Sequence, residues 1–221
     1  MTLPCVEIQT ADQPVHAVIW LHGLGADGND FTPILPHLVD RAWPPLRFVF
    51  PHAPVRPVTV NGGAAMRAWY DIVGVRIQDK QDEAGLRASI AAVEQLIARE
   101  VGRGVPSHHI VLAGFSQGGA VVLAAGLRHA APLAGIVALS TYLMLGEHLA
   151  AEGSQANAQL PIFMAHGSLD PVVPLALGSA ARDALRARGH ALAWHDYPMA
   201  HQVCMEEIAD LRAWLGTHLF R

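Results

Sequence analysis

Eighteen residues from Ile110 to Leu127 contain only two polar side chains, Ser116 and Gln117, and both fall in the middle of the run, within Gly114-Phe-Ser-Gln-Gly-Gly119. A span this long and this apolar has the length of a membrane helix. Its centre, however, would set four consecutive polar or glycine positions at mid-bilayer. A buried strand over Ile110-Phe115 that breaks at the glycines and restarts as a helix at Ala120-Val-Val-Leu-Ala-Ala accounts for the same composition. The chain is therefore expected to form no stable membrane insertion, and to carry Ser116 on a sharp turn between a strand and a helix.

The rest of the chain repeats that alternation. Strand-like apolar runs occur at Val15-Leu21, Leu46-Phe50, Leu133-Leu139, Pro161-Ala165 and Ala191-Tyr197. Most are continuous rather than alternating, as in a mostly parallel sheet covered on both faces. Helical patterns lie between them at Glu83-Arg99, Gln117-Arg128 and Leu175-Arg188, with a last one at Val203-Phe220, where Ile208, Leu211 and Leu215 form an apolar stripe. Val55-Gly63 and Gly146-Gln159 read as loops, being rich in Pro, Gly or small polar residues. Strands alternating with helices give the α/β class, and 221 residues, 52% apolar and 15% charged, suffice for one domain over 1–221 with a large core.

The formal charge of −4 and a single lysine, Lys80, leave no basic footprint for nucleic acid. The N-terminus has no basic segment followed by an apolar core, so no secretory leader is expected, and the protein is read as cytoplasmic. Cys5 and Cys204, far apart in sequence, are read as buried, reduced thiols.

A hydroxyl attacks an acyl carbon poorly at neutral pH unless it is exposed beside a base and faces donors for the developing oxyanion. The five residues Gly114-Phe-Ser-Gln-Gly118 fit a nucleophile elbow, whose flanking glycines leave room where a Cβ would clash. In that arrangement an acid and then a histidine follow, each after a later strand. Asp170 lies just past the strand Pro161-Ala165. Asp183 falls within a helical pattern, Glu147 and Glu152 in a polar loop, and Asp196 within or at the end of a strand. His201 follows the last strand, whereas His190 precedes it, His195 lies inside it and His218 is near the chain end. Ser116, Asp170 and His201 are thus the expected nucleophile, acid and base. The backbone N–H groups of Gln117 and of Leu24, on the loop after an early strand, are the expected oxyanion donors.

That loop also reads Gly23-Leu-Gly25-Ala-Asp-Gly28, a G-x-G-x-x-G pattern that could cradle a dinucleotide. The strand that follows ends Phe48-Val-Phe-Pro-His52, without an acidic residue for a ribose. Asp30, with Pro33 after it, is a better helix start than Gly25. No cofactor is expected. A binding protein that keeps the fold without catalysis is the other alternative, and the ordered series of serine, acid and histidine speaks against it. The histidines show no metal-ligand spacing such as H-E-x-x-H.

From about Val15 onward the chain resembles the bacterial carboxylesterases of the phospholipase/carboxylesterase family, relatives of the acyl-protein thioesterases. The resemblance rests on Leu21-His-Gly-Leu-Gly25, Pro51-His-Ala-Pro-Val-Arg-Pro57, Met66-Arg-Ala-Trp-Tyr-Asp71, Gly114-Phe-Ser-Gln-Gly118, His166-Gly-Ser-Leu-Asp-Pro-Val-Val-Pro174 and His201. It implies an α/β-hydrolase fold, hydrolysis of small-molecule carboxylic esters or thioesters without a metal or cofactor, and the same triad and oxyanion donors. It also implies a place for Trp69 in the acyl pocket, where residue chemistry alone leaves core packing equally open, and a homodimer. Val172, two residues past Asp170, fits either a pocket wall or plain packing. The stretches Ile72-Asp82 and Thr141-Gln159 are expected to shape the groove.

Overall fold

In a computed structural model, residues 3–74 and 82–218 are described. Among the described residues are nine strands, β1 (Cys5–Gln9), β2 (His16–Leu21), β3 (Leu46–Pro51), β4 (Val55–Val58), β5 (Ala64–Arg67), β6 (Ile110–Phe115), β7 (Gly135–Leu139), β8 (Ile162–Gly167) and β9 (Leu192–Tyr197). The α-helices are α1 (Leu35–Leu38), α2 (Glu83–Gly102), α3 (Gln117–Gly126), α4 (Leu149–Glu152), α5 (Leu175–Ala187) and α6 (Met205–His218). Seven strands make one sheet in the order β1-β3-β2-β6-β7-β8-β9, parallel throughout except for β1, which runs antiparallel along β3 at the edge. This is the α/β-hydrolase fold.

The continuous apolar runs are explained by burial on both faces. In β2, Ala17, Ile19 and Leu21 turn toward one core cluster with α2, α3 and α5, while Val18 and Trp20 turn toward another with α1 and α6. The parallel connections run through helices that cover these faces. Ile110–Leu127 divides into β6 and α3. No helix among the described residues is long and apolar enough to cross a membrane.

Three segments differ from the sequence reading. Val55-Gly63, expected as a loop, contains β4, paired antiparallel with β5 around a turn in which Gly62 and Gly63 have φ of 66° and 79°. Pro57 is compatible with this because an isolated two-stranded hairpin leaves one side of each strand without a ladder partner. Gly146-Gln159 contains the single helical turn α4 flanked by 3-10 turns. Asp30 caps no helix: the first helical turn is Thr32–Ile34, its cap is Phe31, and no side chain caps it. The thiols of Cys5 and Cys204 are half-buried rather than buried, since one is on the edge strand β1 and the other just before α6. The end of the expected last helix, 219–220, lies outside the described residues, as does 75–81 of the expected groove segment.

Candidate active site

The order of strands brings the site together. β2 and β6 are neighbours, with Leu21 opposite Gly114, so the loops leaving their C-terminal ends meet. Between these strands the chain switches from building the sheet in one direction to building it in the other, and ligand crevices form at such a switch point. Ser116 leaves β6, Gly23 and Leu24 leave β2, and the loops after β8 and β9 deliver Asp170 and His201 to the same edge.

Ser116 has φ 54° and ψ −119°, a conformation that costs a non-glycine residue about 1–3 kcal/mol. The turn is held by its neighbours: the Ser116 N–H donates to the Leu139 carbonyl at 2.9 Å, and the Thr141 hydroxyl donates to the Ser116 carbonyl at 2.6 Å. The glycines are needed for space. A Cβ on Gly114 would lie 2.5 Å from the Gly118 backbone, and one on Gly118 would strike the carbonyl oxygens of Leu21 and His22.

His201 Nε2 lies 2.9 Å from Ser116 Oγ, and His201 Nδ1 lies 2.6 Å from Asp170 Oδ2. With Nδ1–H donating to the carboxylate, Nε2 is left as an acceptor for the serine hydroxyl. The Asp170 carboxylate is fully buried, and its other oxygen accepts the N–H groups of Val172 and Val173, each at 2.8 Å. The loop therefore turns around the carboxylate. His201 also packs against Phe115, with ring centroids 4.7 Å apart.

A pocket of about 330 Å³ opens over Ser116. Leu24, Gln117 and Val172 line it, as do Ile72 and Tyr142 from the two segments expected to shape the groove. Gln117 is the first residue of α3, so its N–H has no acceptor within the helix, and the positive end of the helix dipole adds to it. Its side chain is already committed: the carbonyl oxygen accepts the Trp69 N–H and the amide donates to the Tyr70 carbonyl, both at 2.8 Å.

The Trp69 side chain is completely buried and is not among the described residues lining this pocket. The indole N–H donates to the His22 carbonyl at 2.9 Å, which ties Trp69 to the loop after β2.

Two histidines that the sequence reading did not single out hold the site's loops. His22 Nε2 accepts the Ala53 N–H at 3.1 Å, so Nδ1 carries the proton and donates to the Gly23 carbonyl at 2.6 Å. In a trans peptide the carbonyl and the next N–H point in opposite directions, so this bond fixes where the Leu24 N–H points. Burial pushes the His22 pKa down, which keeps the ring neutral. His166, also lowered by burial, donates from Nε2 to the Val173 carbonyl at 2.8 Å and closes the Asp170 loop. The position of His22 next to Gly23 in the β2 loop was the available signal for the first; His166, at the end of β8, offered a similar one.

The glycine-rich loop does not lead to a phosphate site. It passes into one 3-10 turn and the four-residue α1, and Gly28 packs where a Cβ would lie 2.5 Å from the Phe50 carbonyl. A long helix whose N-terminus could hold a pyrophosphate does not follow. Among the described residues no cluster of His, Cys, Asp and Glu could hold a metal ion.

Comparison with known proteins is consistent with this architecture. The phospholipase/carboxylesterase family matches residues 3–219. The acyl-protein thioesterase 1 of Neurospora crassa is 38% identical over 99% of this chain and 91% of its own. That of Cryptococcus neoformans is 36% identical over 97% of each. Among solved structures, Zea mays acyl-protein thioesterase 2 superposes with a TM-score of 0.83 at 28% identity, over 97% of this chain and 99% of the other.

Proposed function

The chain belongs to the phospholipase/carboxylesterase family and is a carboxylic ester hydrolase, and from that premise we propose that it cleaves esters and thioesters through an acyl-enzyme on Ser116. The observation that carries this reading is the pair of bonds on His201, to Ser116 at 2.9 Å and to Asp170 at 2.6 Å.

In the first half-reaction His201 Nε2 takes the hydroxyl proton as Ser116 Oγ bonds to the acyl carbon. The carbonyl oxygen becomes an oxyanion, received by the N–H groups of Leu24 and Gln117. Collapse breaks the bond to the leaving oxygen or sulfur, which takes the proton from His201. Asp170 holds the ring in the required tautomer and stabilises the imidazolium. A water, deprotonated by His201, then attacks the acyl carbon; its breakdown returns the proton to Ser116 Oγ and releases the acid.

The pocket walls Ile72, Tyr142 and Val172 suit an acyl chain of short to medium length, and an acylated protein or a lysophospholipid would bring such a chain into it. Names of the fungal and plant relatives point to acyl-protein substrates. The resemblance alone extends the proposal to a homodimer, which light scattering at twice 23.6 kDa would test. For the chemistry, Ser116→Ala should leave the fold intact and remove hydrolysis of p-nitrophenyl esters; a folded variant with wild-type kcat/KM would refute the proposal.

A further inference from the structure

Among the described residues lining the pocket over Ser116, Asp30 is the only acidic one. Its carboxylate has no evident structural task. Among the described residues it makes no hydrogen bond or ion pair, the helical turn that follows is capped at Phe31 with no side-chain bond, and Asp30 bonds only through its backbone N–H, to the Asp27 carbonyl. An asparagine would make that same backbone bond. Asp27, by contrast, is engaged with the N–H and the side-chain amide of Asn29 and is not part of the pocket wall.

Asp30 is an exposed residue at the rim of the pocket, where partial burial and the charge of Asp27 raise its carboxyl and so disfavour its charged form. A substrate cation would relieve that cost, whereas an anion would add repulsion to it. Leu24, Ala26, Ile72, Phe115, Tyr142 and Val172 provide apolar surroundings, in which a single charge is less screened than on an open surface.

We infer that Asp30 is a specificity-determining residue that biases this pocket toward substrates bearing a cation near the scissile bond and against those bearing an anion there. The inference rests on the pocket being the ester site, and it adds the charge of the substrate to that reading.

Two matched sets of substrates test it. The first is S-butyrylthiocholine, its uncharged isostere 3,3-dimethylbutyl thiobutyrate and anionic S-butyryl-3-mercaptopropionate. The second places the charge on the acyl side, as p-nitrophenyl 4-(trimethylammonio)butyrate, 5,5-dimethylhexanoate and hemiglutarate. Wild-type kcat/KM should favour the cationic member over its isostere in at least one set by about fivefold, as expected for a solvent-accessible charge pair, and the preference should shrink as salt rises. Asp30→Asn should abolish the preference and its salt dependence, Asp30→Glu should restore part of it, and Asp27→Asn should change it less than twofold. Equal ratios in wild type and Asp30→Asn, or no cation preference in either set, would overturn the inference while leaving the hydrolase reading intact. Failure of wild type to turn over the neutral members would overturn both.

Discussion

The ring Nδ1–H of His22 donates to the carbonyl of Gly23, its own neighbour, at 2.6 Å, and thereby orients the peptide that carries the Leu24 N–H. A donor for a developing oxyanion acts only if it is aimed before the charge forms. His22→Ala should therefore lower kcat about 10- to 100-fold with a smaller change in KM, below the 100- to 1000-fold loss typical of deleting a donor outright. Steady-state kinetics together with a melting curve would separate this from general destabilisation.

Asp170 accepts three bonds: one from His201 and two from the backbone of its own loop. Asn in its place keeps the size but presents an amide that either faces the backbone N–H groups or donates to His201 Nδ1, stabilising the wrong tautomer. Asp170→Asn should cost about 10³- to 10⁴-fold in kcat. A pre-steady-state burst with a p-nitrophenyl ester should slow in parallel, because acylation itself needs the base.

Gly118 faces the backbone carbonyls of Leu21 and His22, which belong to a buried strand end and have no space to retreat. Gly118→Ala must push α3 away from β2 and should destabilise the fold by about 2 kcal/mol or more. Denaturant unfolding followed by circular dichroism measures it directly. Gly62→Ala in the hairpin turn meets no atom within 4 Å and should cost only the backbone strain of its φ of 66°, about 1 kcal/mol.

Glu207 is completely buried in the first turn of α6, and burial raises its carboxyl to about 8 from 4.5, with the Cys204 backbone N–H offsetting part of the effect. For an acid with a raised folded pKa, stability is greatest below the unfolded value. It declines as pH rises from about 4.5 toward about 8 and levels off beyond that. The loss from this group across its full titration is on the order of 5 kcal/mol. Glu207→Gln removes the titration, so its melting temperature should gain on wild type between pH 5 and pH 8. A gap that stays constant across that range would contradict this account of Glu207.

The placements that were legible from sequence belong to residues whose position follows from chain order. Ser116, Asp170 and His201 each follow a strand of the parallel sheet, and the fold brings those strand ends to one edge. What escaped depends on direction in space. Trp69 is apolar whether it lines a pocket or packs behind one, and its bond to the His22 carbonyl is a feature that residue type does not carry. Asp30 has the residue type and proline context of a helix start, yet the chain turns at Phe31 and leaves the carboxylate beside the pocket. β4 and β5 were hidden because Pro57, Gly62 and Gly63 read as turn residues, and two of them are. Glu207 was more accessible: it stands four residues before Leu211, on the same stripe as Leu215, so the spacing alone places it toward the core.

The central claim, that Ser116 is the nucleophile and His201 its base, is tested most directly by labelling with a fluorophosphonate and reading the modified residue by peptide mass spectrometry. The account predicts one adduct per chain, on Ser116, formed rapidly in wild type and at least 100-fold more slowly in folded His201→Ala. An adduct on another residue, or equal labelling rates in the two proteins, would contradict it.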